Sequence, residues 1–241
     1  MSEQQQDTAV LSVRGLFASV AGQQVVEDVS FTVADTGVTA LLGRNGVGKT
    51  STIKALLGII DRTGEITYRG SSIDKLPTHR VVQRGIGYVP EDREVFGSLT
   101  VEENLRLAIL GDSGNRETVD RLFPELRQRA KQQAGTLSGG QQQMVALARV
   151  LMEQRGLLLV DEPTKGLAPR IVTEVTEALK AVAEKTPVLL VEQNLQVVRD
   201  LAHSVIVLSG GRVVHTGDAR EFLDSDLVHR YLGVTAGKDD A

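Results

Sequence analysis

The run Gly43-Arg-Asn-Gly-Val-Gly-Lys-Thr50 constrains the fold of this chain more than any other feature. It lies between a short apolar stretch, Val38–Leu42, and a segment from Lys49 to Gly58 that reads as a helix. It fits the pattern G-x-x-x-x-G-K-[ST] at Gly43, Gly48, Lys49 and Thr50, in the strand–loop–helix context the pattern requires. Glycines there let backbone N–H groups wrap a phosphate chain, and the start of the helix adds the positive end of its dipole. The expected phosphate-binding set is Gly43, Arg44, Asn45, Gly46, Val47, Gly48, Lys49, Thr50 and Ser51. Lys49 would reach the β/γ-phosphates and Thr50 would ligate Mg2+. The bland alternative, a flexible loop with a chance lysine, does not account for the flanking strand and helix.

Such a loop needs a buried sheet behind it, and the sequence supplies one. Ile86–Val89, Leu157–Val160 and Val188–Val191 are further short apolar runs, the form taken by parallel strands covered on both faces. Val25–Val33 alternates toward its end like a half-exposed strand, and Ser204–Thr216 reads as a hairpin turning at Gly210-Gly211. Residues 100 to 155 differ. Thr100-x-x-Glu103 is a helix-start signature, and helices are expected over Glu117–Arg129 and Gly140–Glu153. The pattern implies an α/β core interrupted by a helical subdomain. The 241 residues carry no Cys, which rules out disulfides and thiolate chemistry. A net charge of −4 argues against a nucleic-acid partner. The first residues, Met1–Gln6, are polar and show no signal-peptide core, and no apolar run approaches the roughly 18 residues of a membrane span.

A second glycine pair stands at Thr136-Leu-Ser-Gly-Gly-Gln-Gln-Gln143. Ser138 and Gln141 form an S-x-x-Q capping box, which satisfies two donors at a helix start. The box does not require Gly139 and Gly140, each costing up to about 1 kcal/mol relative to Ala in a helix. Two glycines at this point expose backbone N–H groups to an anion. One chain therefore carries two anion sites.

The run Leu157-Leu-Leu-Val-Asp-Glu162 delivers two carboxylates to the end of a buried strand, where α/β sheets bind ligands. Next to a phosphate loop, Asp161 would hold Mg2+ directly or through water, and Glu162 would deprotonate an attacking water.

Phosphate loop, LSGGQ and "DEPT", in this order and at these distances, resemble the ATP-binding subunit of an ABC transporter. The resemblance covers nearly the whole chain. It implies an α/β P-loop NTPase cassette with a mainly parallel core sheet, an N-terminal antiparallel β region and a helical subdomain inserted at roughly residues 91–155 of a single 1–241 domain. It also implies ATP and Mg2+ as ligands. In that family two cassettes pack head to tail, so Ser138, Gly139, Gly140 and Gln141 would bind the nucleotide held by a partner chain. "GYVPEDREVFGSLTVEENL", "DEPTKGLAP", "VLLVEQN" and "YLGV" are similar to one of the two ATP-binding subunits of branched-chain amino acid importers; "SGGQQQ" leans toward the related urea and short-chain amide importers. The resemblance implies a second ATPase subunit as partner in the transporter (or a homodimer when the chain is alone), permease subunits, an indirect link to a solute-binding protein, and a peripheral place on the cytoplasmic face of the membrane.

Three positions depart from the general family pattern. Glu91 stands for the loop glutamine that senses γ-phosphate, Gln193 for the switch histidine, and Val20 for the aromatic that stacks on adenine. The first two resemble the importer subfamily and keep catalytic roles there. Phe17 is open to two readings, adenine contact or core. His79, His203, His215 and His229 lack ligand spacing. Lys165 reads as a solvated loop charge, and Glu102 and Glu103 as a solvated helix face. Two rival readings are a soluble ABC ATPase without a permease, and a regulatory module that binds ATP without turnover.

Overall fold

The computed structural model describes residues 9–109 and 114–233. The Met1–Gln6 start, Val234 of "YLGV" and a short part of the helical region lie outside them. In chain order the elements are β1 (Ala9–Val20), β2 (Gln23–Ala34), β3 (Val38–Leu42), α1 (Lys49–Leu57), β4 (Asp61–Tyr68), β5 (Ser71–Ser72), α2 (Thr78–Gln83) and β6 (Ile86–Val89). Then come α3 (Val101–Arg106), α4 (Arg116–Leu122), α5 (Pro124–Gln128), a 3-10 turn at Ala134–Thr136, and α6 (Gly139–Leu151). The chain closes with β7 (Leu157–Asp161), α7 (Pro169–Ala183), β8 (Val188–Val191), α8 (Leu195–Leu201), β9 (Ser204–Ser209), β10 (Arg212–Asp218), α9 (Ala219–Leu223) and α10 (Leu227–Leu232).

The main sheet has the order β10-β9-β3-β8-β7-β6. It is parallel from β9 to β6, and β10 joins antiparallel at the edge. Its strands are buried on both faces, as their unbroken apolar runs require. Leu157, Leu159, Leu189 and Val191 face the cluster that contains Leu56 and Leu57 of α1 and residues of the antiparallel sheet. Their neighbours Leu158, Val160, Val188 and Leu190 face Val145, Leu147 and Ala148 of α6 and Val175 and Leu179 of α7. A fully buried leucine here contributes about 1.5–3 kcal/mol. The second sheet, β2-β1-β4-β5, is antiparallel and supplies the expected N-terminal β region.

This arrangement places the site. Because β3, β6, β7 and β8 run parallel, the phosphate loop after β3, Glu91 after β6, Asp161 and Glu162 at β7, and Gln193 after β8 all emerge at one edge. That edge is where open α/β sheets bind ligands.

The helical region between β6 and β7 differs from expectation at one point. The single helix anticipated over Glu117–Arg129 is two, broken between Phe123 and Pro124. Pro124 lacks the N–H that would continue the first helix, and it starts the second instead. The expected capping box at Thr100 is present, with Glu103 Oε2 accepting from Thr100 N at 2.8 Å. Glu102 and Glu103 are therefore not a merely solvated face: Glu103 closes that box and Glu102 pairs with Arg116 at 2.6 Å. The hairpin of β9 and β10 turns on Gly210 and Gly211, both at positive φ, as a tight two-residue turn requires.

Candidate functional site

The phosphate loop is shaped by close backbone approach. Gly48 caps α1 at φ +100°, and a Cβ there would lie 2.5 Å from Val25 O, so no other residue fits without distortion. Lys49 is buried, and its Nζ donates to the carbonyls of Gly43 at 2.8 Å and Arg44 at 3.0 Å. Burial pulls its ammonium below the ordinary lysine value, against the attraction of Glu162 and Asp161. Arg44, Asn45 and Gly46 are exposed, while Val47, Thr50 and Ser51 are half-buried.

Asp161 is fully buried at the end of β7. Its Oδ1 accepts from Thr50 Oγ1 at 3.2 Å, and its Oδ2 has no hydrogen-bond partner. Burial pushes this carboxyl up to about 6. A buried carboxylate oxygen left unpaired beside a threonine hydroxyl is an all-oxygen donor set, of the kind hard divalent cations take. No group of three or more His, Cys, Asp or Glu suited to a metal occurs among the described residues. A cation here would draw its remaining ligands from phosphate and water.

Glu162 follows with φ +45°, unusual for a residue with a side chain and the sort of backbone conformation found at functional sites. Its Oε1 accepts from Gln193 Nε2 and stands 4.0 Å from Lys49 Nζ. Its Oε2 lies 3.2 Å from Lys165 Nζ, and the same ammonium is 2.5 Å from Glu91 Oε1. Of the predicted site residues, Lys49, Thr50, Asp161, Glu162, Gln193 and Glu91 thus form one connected cluster. Lys165 is no plain solvated loop charge: it bridges two carboxylates.

Two members of the cluster escaped the sequence reading. Glu192 is buried, accepts from Thr164 Oγ1 at 2.7 Å, and takes the N–H groups of Gln193 at 2.7 Å and Asn194 at 3.0 Å. It ties the loop after β7 to the loop after β8 and sets the direction of Gln193. The "EQN" and "DEPT" runs that hold these residues had been read only as family marks. A cavity of about 250 Å3 lies beside the loop, lined by residues including Arg44, Gln193 and Leu232. Gly233, at the end of α10, packs against the Arg44 guanidinium, so "YLG" sits next to the phosphate loop.

The second glycine pair lies elsewhere, at the start of α6. Ser138 Oγ accepts from Gln141 N at 3.3 Å, and Gln141 Oε1 accepts from Ser138 N at 3.0 Å, which completes the capping box. Gln142 N is taken by Ser138 O, so the N–H groups of Gly139 and Gly140 are the ones the helix leaves unused. Gly140 has a second reason to be glycine: a Cβ would press on Ile171 of α7 at 2.8 Å. Phe17 is 38% exposed and so is not core. Val20 is exposed too. His203 accepts from Val38 N and His215 stacks on Phe222, both structural roles.

The profile of the ABC transporter family matches residues 26–165. The chain belongs to the ABC transporter family. The matched span contains the phosphate loop, the LSGGQ run and the acidic pair, and the chain is an ATP-binding ATPase of that family. The high-affinity branched-chain amino acid transport ATP-binding protein BraG of Pseudomonas aeruginosa is 39% identical over 218 residues, covering 87% of this chain and 94% of that one. The lipopolysaccharide export system ATP-binding protein LptB of Haemophilus influenzae is 32% identical over 235 residues, covering 93% and 98%. A solved ATP-binding subunit of an ABC transporter superposes with a TM-score of 0.77 at 28% identity, covering 95% of each chain.

Proposed function

We propose that this ABC ATPase powers an importer of branched-chain amino acids, with Glu162 as its general base. The observation that carries the catalytic part is the seat of Glu162 between Lys49 and Gln193 at the edge of the parallel sheet. Lys49 binds the β/γ-phosphates, and the backbone of Gly43–Gly48 wraps them. Thr50 and Asp161 would hold Mg2+, whose charge would offset that of the phosphates; the unpaired Asp161 oxygen fits this use. A water attacks the γ-phosphorus, Glu162 takes its proton, and the bond to the β–γ bridging oxygen breaks, releasing phosphate and ADP. Gln193 hydrogen-bonds a γ-phosphate oxygen but brings no positive charge. Glu91, held by Lys165, lies on the loop that meets the permease.

The working unit is two cassettes. Ser138, Gly139, Gly140 and Gln141 serve the ATP of the partner chain. The chain, 1–241, acts as one domain on the cytoplasmic face of the membrane, paired with a second, distinct ATPase subunit and with permease subunits that a solute-binding protein supplies. None of its described helices is long and apolar enough to cross a membrane, which fits a peripheral subunit.

Greater identity to BraG than to LptB favours amino acid import over lipopolysaccharide export, which is the second reading. Deleting the gene and following uptake of labelled leucine, with labelled urea as the comparison, tests the cargo. Loss of leucine uptake alone is expected. Intact leucine uptake with lost urea uptake, or with a defective outer membrane, would reassign it.

A further inference from the structure

One cation of the cluster lies outside the phosphate loop. Lys165 reaches Glu162 Oε2 at 3.2 Å and Glu91 Oε1 at 2.5 Å, across loops that follow different strands. Its side chain is 57% exposed, whereas that of Glu162 is 7% exposed. A general base needs an oxygen free to approach the water to roughly 2.6–3.2 Å. Here Oε1 holds the amide of Gln193, and Oε2 is buried, makes no hydrogen bond, and has the Lys165 ammonium at ion-pair distance.

We propose that Lys165 restrains Glu162, as an ion-pair latch anchored on the loop after β6 through Glu91. The inference rests on the reading of Glu162 as the base. Three features carry it. Lys49, the other cation at Glu162, is already committed to the carbonyls of Gly43 and Arg44 and stands nearest Oε1, so Lys165 is the cation that pairs with Oε2. The contact on the lysine side is solvent-exposed, and an exposed ion pair is weak enough to open during a catalytic cycle. The anchor is a carboxylate at position 91; the amide of a glutamine there would not hold an ammonium in this way. The charge at Glu91 and the charge at Lys165 therefore form one device. Movement of the loop after β6 changes the hold on Glu162, which links that loop to the rate of hydrolysis without a contact to nucleotide. Lys165 is thus a positioning residue, acting through Glu162.

Steady-state Mg-ATPase assays on the full-length chain test this, with Lys165→Gln, Lys165→Arg, Glu91→Gln and the double variant Glu91→Gln/Lys165→Gln. Lys165→Gln should raise kcat about two- to fivefold, the size of one weak ion pair, with KM within about twofold. Lys165→Arg keeps the cation and should recover at least half of the restraint. Glu91→Gln should raise kcat less, and should add nothing to Lys165→Gln, since the two remove the same latch. An unchanged or lowered kcat in Lys165→Gln overturns the proposal, as do additive effects of the two substitutions. Glu162→Gln separates the two levels. If that variant hydrolyses ATP at the parental rate, the base is misassigned and the latch falls with it. If it is inactive while Lys165→Gln shows no rise, the latch alone fails.

Discussion

Two helices of this chain, α1 and α6, begin beside glycines, and their starts are finished in different ways. The start of α1 is enclosed by the charged groups proposed for catalysis: Lys49 is buried against the loop, Thr50 donates to Asp161, and Glu162 stands 4.0 Å from the lysine. The start of α6 is finished by its own capping box, by Gln141 donating to Glu125 at 2.6 Å and by Gln142 donating to Ala134 O at 3.2 Å. Both leave backbone N–H groups open to an anion, and the Arg93 guanidinium lies beside Gly139 at the α6 start, yet only the α1 start adds an unpaired Asp161 oxygen and the Glu162 carboxylate. The contrast fits the proposal that the α6 start is half of a site completed by a partner chain. Ser138 fits this: its hydroxyl oxygen accepts within the cap, which leaves the O–H free to donate to a phosphate from elsewhere.

The contrast can be broken at the α1 side first, where the largest effect is expected. Glu162→Gln keeps the shape of the side chain but removes the base, so turnover should fall at least about 10²-fold while ATP binding persists and an ATP-bound dimer accumulates. Parental turnover would show that the enclosed cluster is not the catalytic half. The next effect sharpens the comparison within a single chain. Under conditions that keep the protein monomeric, Lys49→Ala should weaken ATP binding about 10- to 100-fold, the loss of one or two charge-assisted hydrogen bonds. Ser138→Arg should leave monomer affinity unchanged, because the α6 start does not serve the chain's own nucleotide. Calorimetric titration with ATP reads both, and equal losses would erase the distinction.

Much of this contrast was legible before the fold was known, because it lies in contiguous runs. Gly43–Thr50, Ser138–Gln141 and Asp161-Glu162 each announce their chemistry by local spacing. The partners of Lys165 do not. Glu91 is 74 residues away in sequence, and the two meet only because β6 lies next to β7 in the sheet. Glu192 was hidden for the same reason, since its role depends on Thr164 from the neighbouring strand end. Strands β1 and β4 went unread because their alternation is interrupted. Register shifts break β1, and Gly64 comes so close to the backbone at Gly15 that the pleat cannot be regular. The split at Phe123–Pro124, by contrast, was available from Pro124 alone.

A smaller effect tests the readiness of the α1 side for a cation. Asp161 has its carboxyl raised to about 6 by burial, above the roughly 3.9 of an unfolded chain. Below about pH 4 both states are protonated and the residue is neutral for stability. As pH rises from 4 to 6 the unfolded chain ionises first, so the folded state loses stability, by about 1–3 kcal/mol in full above pH 6. Asp161→Asn should therefore stabilise the nucleotide-free chain by that amount at pH 7.5 and not at pH 4, read as the midpoint of urea unfolding. Added Mg-ATP should reverse the order, stabilising the parental chain more than the variant. A destabilised variant at pH 7.5 would mean that the buried carboxylate is already satisfied.

Counting occluded ATP in mixed dimers tests the composite site most directly. In one arrangement Lys49→Ala lies on one chain and Ser138→Arg on the other, with tags to isolate the mixed species. If α6 of each chain faces the phosphate loop of its partner, both lesions fall in the same composite site, and one whole site remains. The other arrangement carries both lesions on one chain and leaves no whole site. The account predicts one occluded ATP per dimer in the first arrangement and none in the second. Equal occlusion in both would mean that Ser138 does not act across the interface, and that the two glycine starts do not belong to one composite site.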